Sequence, residues 1–313
     1  MNPSASASPG PIEWLGAVQG PVEEIGGKAA SLDRLARLGF LIPPGFCLTT
    51  SAFQAHLASV ADGTRLREVL AALPDEAARV AVVDLVRGAP APPEVCSALT
   101  EALDRLTDLG ELSLAVRSSA IGEDSAAASY AGLHDTELGL AAADVEAAVR
   151  RCWSSLWSPA AVAYRTRRAL SLDGAAMAVV VQALVPADAA AVVFTRHPVT
   201  SRDDTIVINA LRGLGEPMVS GTATPDTYVV DKASRRVTEF VPGDDGERLV
   251  AIDGGVTRIA DPVRGPALTD AVLDDLVALS LKVERAFGAA VDIEAAFARE
   301  RWYLLQARPI TTA

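Results

Sequence analysis

With 313 residues, half of them hydrophobic and 22% charged, the chain has the balance of a folded globular protein long enough for two ordinary domains. Its net charge of -12 argues against a nucleic-acid binder, which needs a basic footprint, yet a few local cations and a metal could still hold an anionic nucleotide. The three cysteines, Cys47, Cys96 and Cys152, lack CxxC spacing and read as buried thiols of a reducing compartment. The opening "MNPSASASPGP" has neither half of a signal peptide, and no apolar run approaches the roughly 18 residues of a membrane span, so a cytoplasmic protein with no membrane partner is expected.

In chain order, "IGGKAASLDRLARLGF" places two glycines ahead of a helix whose Ala29, Leu32, Leu35, Ala36 and Phe40 follow helical spacing. "LIPPGFCLTT" reads as an extended segment leading to a second helix at Ser51. Residues 65–109 are Ala/Leu-rich and helical, interrupted at "GAPAPPEV", where consecutive prolines forbid continuation. "LSLAVRSSA" is a strand, followed by the small-residue loop "IGEDSAAASYAGLHDT". One long helix is expected over "DVEAAVRRCWSSLWSPAAVAYRTRRAL", with Trp153, Trp157 and Tyr164 turned to the core. Next come two β-rich runs around a turn at Pro186, a strand at "DTIVINA", a hairpin over "TPDTYVVDKASRRVTEFV" and a helix with Thr269 as N-cap. A helix-rich first half and a strand-rich second half make this an α+β protein of two lobes.

The closing stretch, "DIEAAFARERWYLLQARPI", reads as strand, turn, strand. Residues two apart in a strand share a face, so Asp292 and Glu294 point one way and Val291, Ile293, Ala295 and Phe297 the other. On the return strand Gln306 and Arg308 share a face opposite Tyr303, Leu305 and Ala307. An odd-numbered loop centred on Glu300 would set Glu294 across from Gln306 and Asp292 across from Arg308. Such oxygen ligands suit magnesium, which takes one or two protein ligands and leaves the rest to water and phosphate, and the arginine suits a phosphate. The same face could equally be an exposed surface with a cross-strand Asp–Arg pair.

Two other stretches carry possible chemistry. "GGK" at Gly26 to Lys28 is no Walker A loop, but glycines entering a helix beside a lysine offer N–H groups and a cation to a phosphate. "VRSSA" sets Arg117 at a strand end before a loop ending in "AGLHDT", where Thr136 could donate a hydroxyl; the loop is otherwise a plain connector. His56, His134 and His197 have no carboxylate or cysteine partner in sequence and read as ordinary helix or loop residues. No nucleophile elbow and no HExxH occurs.

Taken in order, "GGKAASLDRLARLGFLIPPGFCLTTSAF", "VRSSAIGEDSAAASYAGLHDT", "CWSSLWSPAAVAYR", "FTRHPVTSRDDTIVINALRGLGEPMVSGTATPDTYVV" and "DIEAAFARERWYLLQARPITT" resemble one family. It is that of the nucleotide-binding N-terminal domains of phosphoenolpyruvate synthase, pyruvate phosphate dikinase and rifampin phosphotransferase. The resemblance implies an ATP-grasp fold, two lobes clamping Mg-ATP, here divided as a disordered tail over 1–11 and lobes over 12–184 and 185–313. It implies that Lys28 and Arg117 contact phosphates, that Gly132 and Thr136 cradle them, and that Gln182 lies at the adenine side. It makes Glu294 and Gln306 magnesium ligands, with Asp292 beside them, and Arg308 a phosphate-binding arginine; Lys28, Arg117 and Arg308 would carry the catalysis.

In such enzymes ATP gives its β,γ-pyrophosphoryl unit to a histidine on a swivelling domain, AMP leaves, and a phosphoryl passes on to a small-molecule acceptor. The phosphohistidine and acceptor domains are absent from this sequence, and neither His134 nor His197 stands in for the carrier. The expectation is therefore an ATP-binding subunit that phosphorylates a histidine on a separate partner protein. A non-catalytic ATP-binding or regulatory module and an excised domain of a longer phosphotransferase are the alternatives.

Overall fold

Prolines and their capping neighbours cut the helical stretches more finely than apolar spacing alone predicts. The computed structural model describes residues 10–60, 63–110, 113–120, 136–168, 170, 176–244, 246–261 and 265–310. The first part of the chain runs β1 (Ile12–Trp14), α1 (Val22–Arg37), β2 (Gly45–Leu48), α2 (Thr50–Ser59), α3 (Gly63–Ala71), α4 (Glu76–Gly88), α5 (Pro93–Thr107), β3 (Leu114–Ala120), β4 (Thr136–Leu140), α6 (Val145–Ser154), α7 (Pro159–Arg167) and β5 (Met177–Ala183). Helix α4 starts afresh after Pro74 because Asp75 accepts from the Ala78 N–H at 3.0 Å. The single helix expected after Asp144 is instead α6, a 3-10 turn over Ser155–Trp157, and α7. Ser158 caps the last of these and Pro159 occupies its first turn, where a missing N–H costs nothing.

The second part continues β6 (Ala189–Phe194), β7 (Thr205–Arg212), α8 (Glu216–Val219), β8 (Asp226–Asp231), β9 (Val237–Val241), β10 (Glu247–Ile252), β11 (Gly255–Ala260), α9 (Asp270–Phe287), β12 (Val291–Ala298) and β13 (Arg301–Pro309). The Thr269 cap of α9 forms as expected, accepting from the Val272 N–H. The chain divides into two units, Met1–Ala30 with Pro44–Ala183, and Ser31–Pro43 with Leu184–Ala313, the first division falling within α1.

Unit 1 holds an antiparallel five-stranded sheet in the order β1-β2-β5-β3-β4. One face carries Phe46, Leu48, Leu114, Val116, Met177, Val179 and Val181 into a core shared with the helices. Trp153 and Trp157 are buried there, their rings 5.7 and 6.2 Å from that of Phe53, which fulfils the core role expected of both; Tyr164 is only half-buried.

Unit 2 holds a six-stranded antiparallel sheet, β13-β12-β6-β7-β8-β9, and a separate β10-β11 hairpin. Its larger core lies on one face, where Val193, Ile206, Ile208, Val230, Ile293 and Leu304 meet Leu273, Leu276, Val277 and Val283 of α9, and a smaller cluster around Leu214, Leu249, Ala296 and Ala298 lies on the other. The two runs flanking Pro186 belong to different sheets, β5 in unit 1 and β6 in unit 2, so that turn links the units and does not close a hairpin. The α+β class expected from the sequence is thus the observed one, with a sheet in each unit.

Candidate nucleotide-binding site

In unit 1 the strand period of two sorts the functional candidates onto the sheet face that the core does not use. Arg117 of β3 pairs with Thr136 on one side and Val180 on the other, while Gln182 of β5 pairs with Ala115 and Gly45. Arg117, Thr136, Ser119 and Gln182 therefore share one face, opposite Val116, Val179 and Val181. Gln182 is buried, and it can lie over β2 only because Gly45 has no side chain: a Cβ there would come 2.7 Å from the Gln182 Cγ. Cys47 shares this face, and burial raises its thiol pKa well above the ordinary range, leaving it protonated and unreactive. Of the other cysteines Cys152 is buried, as read, whereas Cys96 is half-buried.

Helix α1, which carries Lys28, packs against the same face. That helix begins at Val22, earlier than the glycines, but it is broken at Gly26, whose φ of 73° and ψ of 172° lie in a region essentially reserved for glycine. The break lies against β3. Ser119 Oγ donates to the Ile25 carbonyl at 2.7 Å and accepts from the Ala29 N–H at 3.1 Å, so one hydroxyl spans both sides of it. Lys28 is itself buried to 8% exposure. Gly132 and His134 lie outside the described residues.

In unit 2 the four hairpin candidates also share a face. Asp292 lies across from Arg308 and Glu294 across from Gln306, the pairing expected from the sequence, but the chain reaches it by another route. The turn has two residues, Arg299 and Glu300, both at positive φ (50° and 59°), and a β-bulge between Glu294 and Ala295 then shifts the register by one. The bulge also inverts the return strand: Trp302 and Leu304 join Ala307 in the core under α9, and Tyr303 and Leu305 pack on the opposite side. That reverses the expected grouping of Tyr303, Leu305 and Ala307. An even turn plus one bulge residue gives the same far-end register as an odd loop.

Asp292 Oδ2 takes both Nε and Nη2 of Arg308, at 2.9 and 2.8 Å, so this carboxylate fixes the guanidinium. Glu294 is half-buried and Gln306 nearly fully so. Across the sheet, the row through Gln306 and Glu294 continues to Val192, Asn209 and Thr227, and Thr227 donates to Asn209 Oδ1 at 2.9 Å. A strand reading of "DTIVINA" does not single out Asn209; its one signal is an amide amid β-branched neighbours. Among the described residues no three His, Cys, Asp or Glu side chains gather as a self-sufficient metal cage. A carboxylate facing an amide oxygen fits instead the sparse donor set of magnesium, which draws its remaining ligands from water and phosphate.

The histidines play structural parts where they can be seen. His56 is buried against Trp153, with Nε2 2.9 Å from the Val86 carbonyl, and burial lowers its pKa. His197 accepts the Val199 and Thr200 N–H groups on Nδ1, closing the loop after β6. Among the described residues no helix is long and apolar enough to cross a membrane.

Comparison with known proteins identifies the family. Residues 22–313 match the family model described as "Pyruvate phosphate dikinase, AMP/ATP-binding domain". The chain is 38% identical to the rifampicin phosphotransferase of a Streptomyces species over 92% of its own length and 34% of that protein's. It is 38% identical to the prodigiosin synthesizing transferase PigC of Serratia marcescens, over 92% and 32% respectively. With the phosphoenolpyruvate synthase of Pyrococcus furiosus it shares 31% identity over 96% of the chain and 44% of the relative. The chain thus spans less than half the length of these relatives. Among solved structures, D-alanine–D-alanine ligase from Helicobacter pylori matches 68% of the chain and 46% of its own at 11% identity and a TM-score of 0.32, a likeness too weak to bear on the fold. On the family match, the chain belongs to the ATP-binding domain family of phosphoenolpyruvate synthase, pyruvate phosphate dikinase and rifampicin phosphotransferase.

Proposed function

We propose that this domain binds Mg-ATP and uses it to transfer a pyrophosphoryl group to a histidine carried outside these residues, releasing AMP. The observation that carries the reading is that Arg117, Thr136 and Gln182 share the unit 1 sheet face against which the α1 break beside Lys28 lies, while Asp292, Glu294, Gln306 and Arg308 share the unit 2 sheet face opposite the core under α9. On unit 1, Lys28 and Arg117 supply cations and Thr136 a hydroxyl for the phosphates, Gly132 lends backbone N–H groups, and Gln182 orients the base. On unit 2, Glu294 and Gln306 hold magnesium, and Asp292 lends its charge beside them while orienting Arg308 toward a phosphate. When bound, the metal neutralises charge on the phosphates; the protein's part is to position them and to place Lys28, Arg117 and Arg308 where negative charge develops.

Because the relatives are two to three times longer, the histidine and the final small-molecule acceptor belong either to a partner protein or to further sequence joined to this domain. The test is to incubate the protein with Mg-ATP and candidate histidine-bearing proteins, and to look for AMP together with an acid-labile phosphorylated histidine. ADP as the sole product would refute the pyrophosphoryl route. Nucleotide binding without AMP under any pairing would favour the second reading, a non-catalytic ATP-binding module.

A further inference from the structure

We infer that Ser119 is a positioning residue for Lys28, an inference that rests on the reading of Lys28 as a phosphate contact. Helix α1 cannot run straight through Gly26: the break there exposes the Ile25 carbonyl on one side and the first N–H groups of the following helical segment on the other. Groups of this kind, once buried, need partners. Ser119 Oγ meets one from each side, donating to Ile25 and accepting from Ala29, and it is itself fully buried. Lys28 is the residue next to Ala29, so the hydroxyl fixes the backbone from which the lysine projects.

The contact is close enough to set a register. A Cβ built on Gly26 would lie 1.9 Å from the Ser119 carbonyl oxygen and 2.6 Å from its Oγ, so the backbone of the break rests directly on β3. Ser119 lies two residues beyond Arg117 on the same strand face. The spacing between the two cations is thereby tied to one strand: Arg117 is borne by it, and Lys28 is pinned to it two residues further on. A helix without the break would carry Lys28 at a different angle, and a break without the hydroxyl would leave its angle unset.

The test is a double-mutant cycle read by calorimetric titration with ATP and, on the same samples, with adenosine, which lacks the phosphates. Ser119→Ala should weaken ATP binding by about ten-fold, the equivalent of one buried hydrogen-bonding group lost, while adenosine affinity stays within about two-fold. A merely structural role would lower both equally, because an unfolded fraction binds neither. In a Lys28→Ala background, Ser119→Ala should add less than about two-fold for ATP, since the residue it positions is gone. Should Ser119→Ala fold poorly, Ser119→Cys, with a weaker donor and acceptor, should give an intermediate ATP-to-adenosine ratio. Equal losses for the two ligands, or full additivity with Lys28→Ala, would overturn the inference while leaving Lys28 as a phosphate contact. No loss of ATP affinity in Lys28→Ala itself would remove the reading on which the inference rests.

Discussion

Replacing Gly26 by alanine would bring a Cβ 1.9 Å from the Ser119 carbonyl oxygen and 2.5 Å from its carbonyl carbon, distances that real side chains do not sustain. Both atoms belong to the backbone of a central strand, so neither can swing aside as a flexible side chain would. Two penalties add. Holding a non-glycine residue at φ 73° and ψ 172° costs about 1–3 kcal/mol, and overpacking a closely fitted site costs about 1–3 kcal/mol more. The expected loss is therefore on the order of 2–6 kcal/mol. Gly110 provides the control within the same unit: its φ is +132°, but a Cβ there meets nothing within 4 Å, so Gly110→Ala should show the backbone cost alone. Urea unfolding followed by tryptophan fluorescence reads both variants, since Trp14, Trp153 and Trp157 all lie in unit 1. If Gly26→Ala cost no more than Gly110→Ala, the close approach of α1 to β3 would be refuted.

Unit 2 offers a comparable probe at Ser31, whose Oγ donates to the Ala307 carbonyl and accepts from its N–H, tying α1 to the edge strand β13. Ser31→Ala should cost about 1–3 kcal/mol by leaving those groups unmet, read from the fluorescence of Trp302. The Asp292–Arg308 pair is partly exposed, so Asp292→Asn should cost no more than about 1 kcal/mol of stability, and less still in high salt, while reducing ATP affinity by loosening Arg308. His56 sets an acid sensitivity. Its folded pKa is lowered by burial, so as pH falls through the ordinary value near 6.5 the unfolded chain takes up a proton first. Stability is then full above that pH and declines below it, by up to about 1.4 kcal/mol per pH unit for one group. His56→Gln should flatten this slope in unfolding titrations between about pH 7 and pH 5.

How much of this could be read in the sequence depends on what each signal encodes. Period-two patterning foretold that Asp292, Glu294, Gln306 and Arg308 share a face, because alternation is a property of the strand itself. It could not foretell the two-residue turn, since Arg299 and Glu300 adopt positive φ without the glycine or asparagine that announces such turns. Nor could it place the bulge, whose only trace is the change of phase from Trp302 and Leu304 to Ala307 in the core. The helix breaks at Pro74 and Pro159 were legible, each proline having a capping residue beside it, but apolar spacing read straight across them. Lys28 and Arg117 drew notice as charges beside glycines and small residues. Ser119 did not, because its role depends on contacts with residues 90 and 94 positions earlier, which no local pattern records.

The central claim is that the domain binds Mg-ATP, with Lys28 a phosphate contact and Glu294 a magnesium ligand. Its most direct measurement is equilibrium binding of ATP, with and without magnesium, to the parent chain, Lys28→Ala and Glu294→Ala. The account predicts that magnesium tightens binding to the parent chain, that Lys28→Ala weakens binding under both conditions, and that Glu294→Ala abolishes the magnesium-dependent part. Unchanged ATP affinity in both variants, with magnesium present, would contradict it.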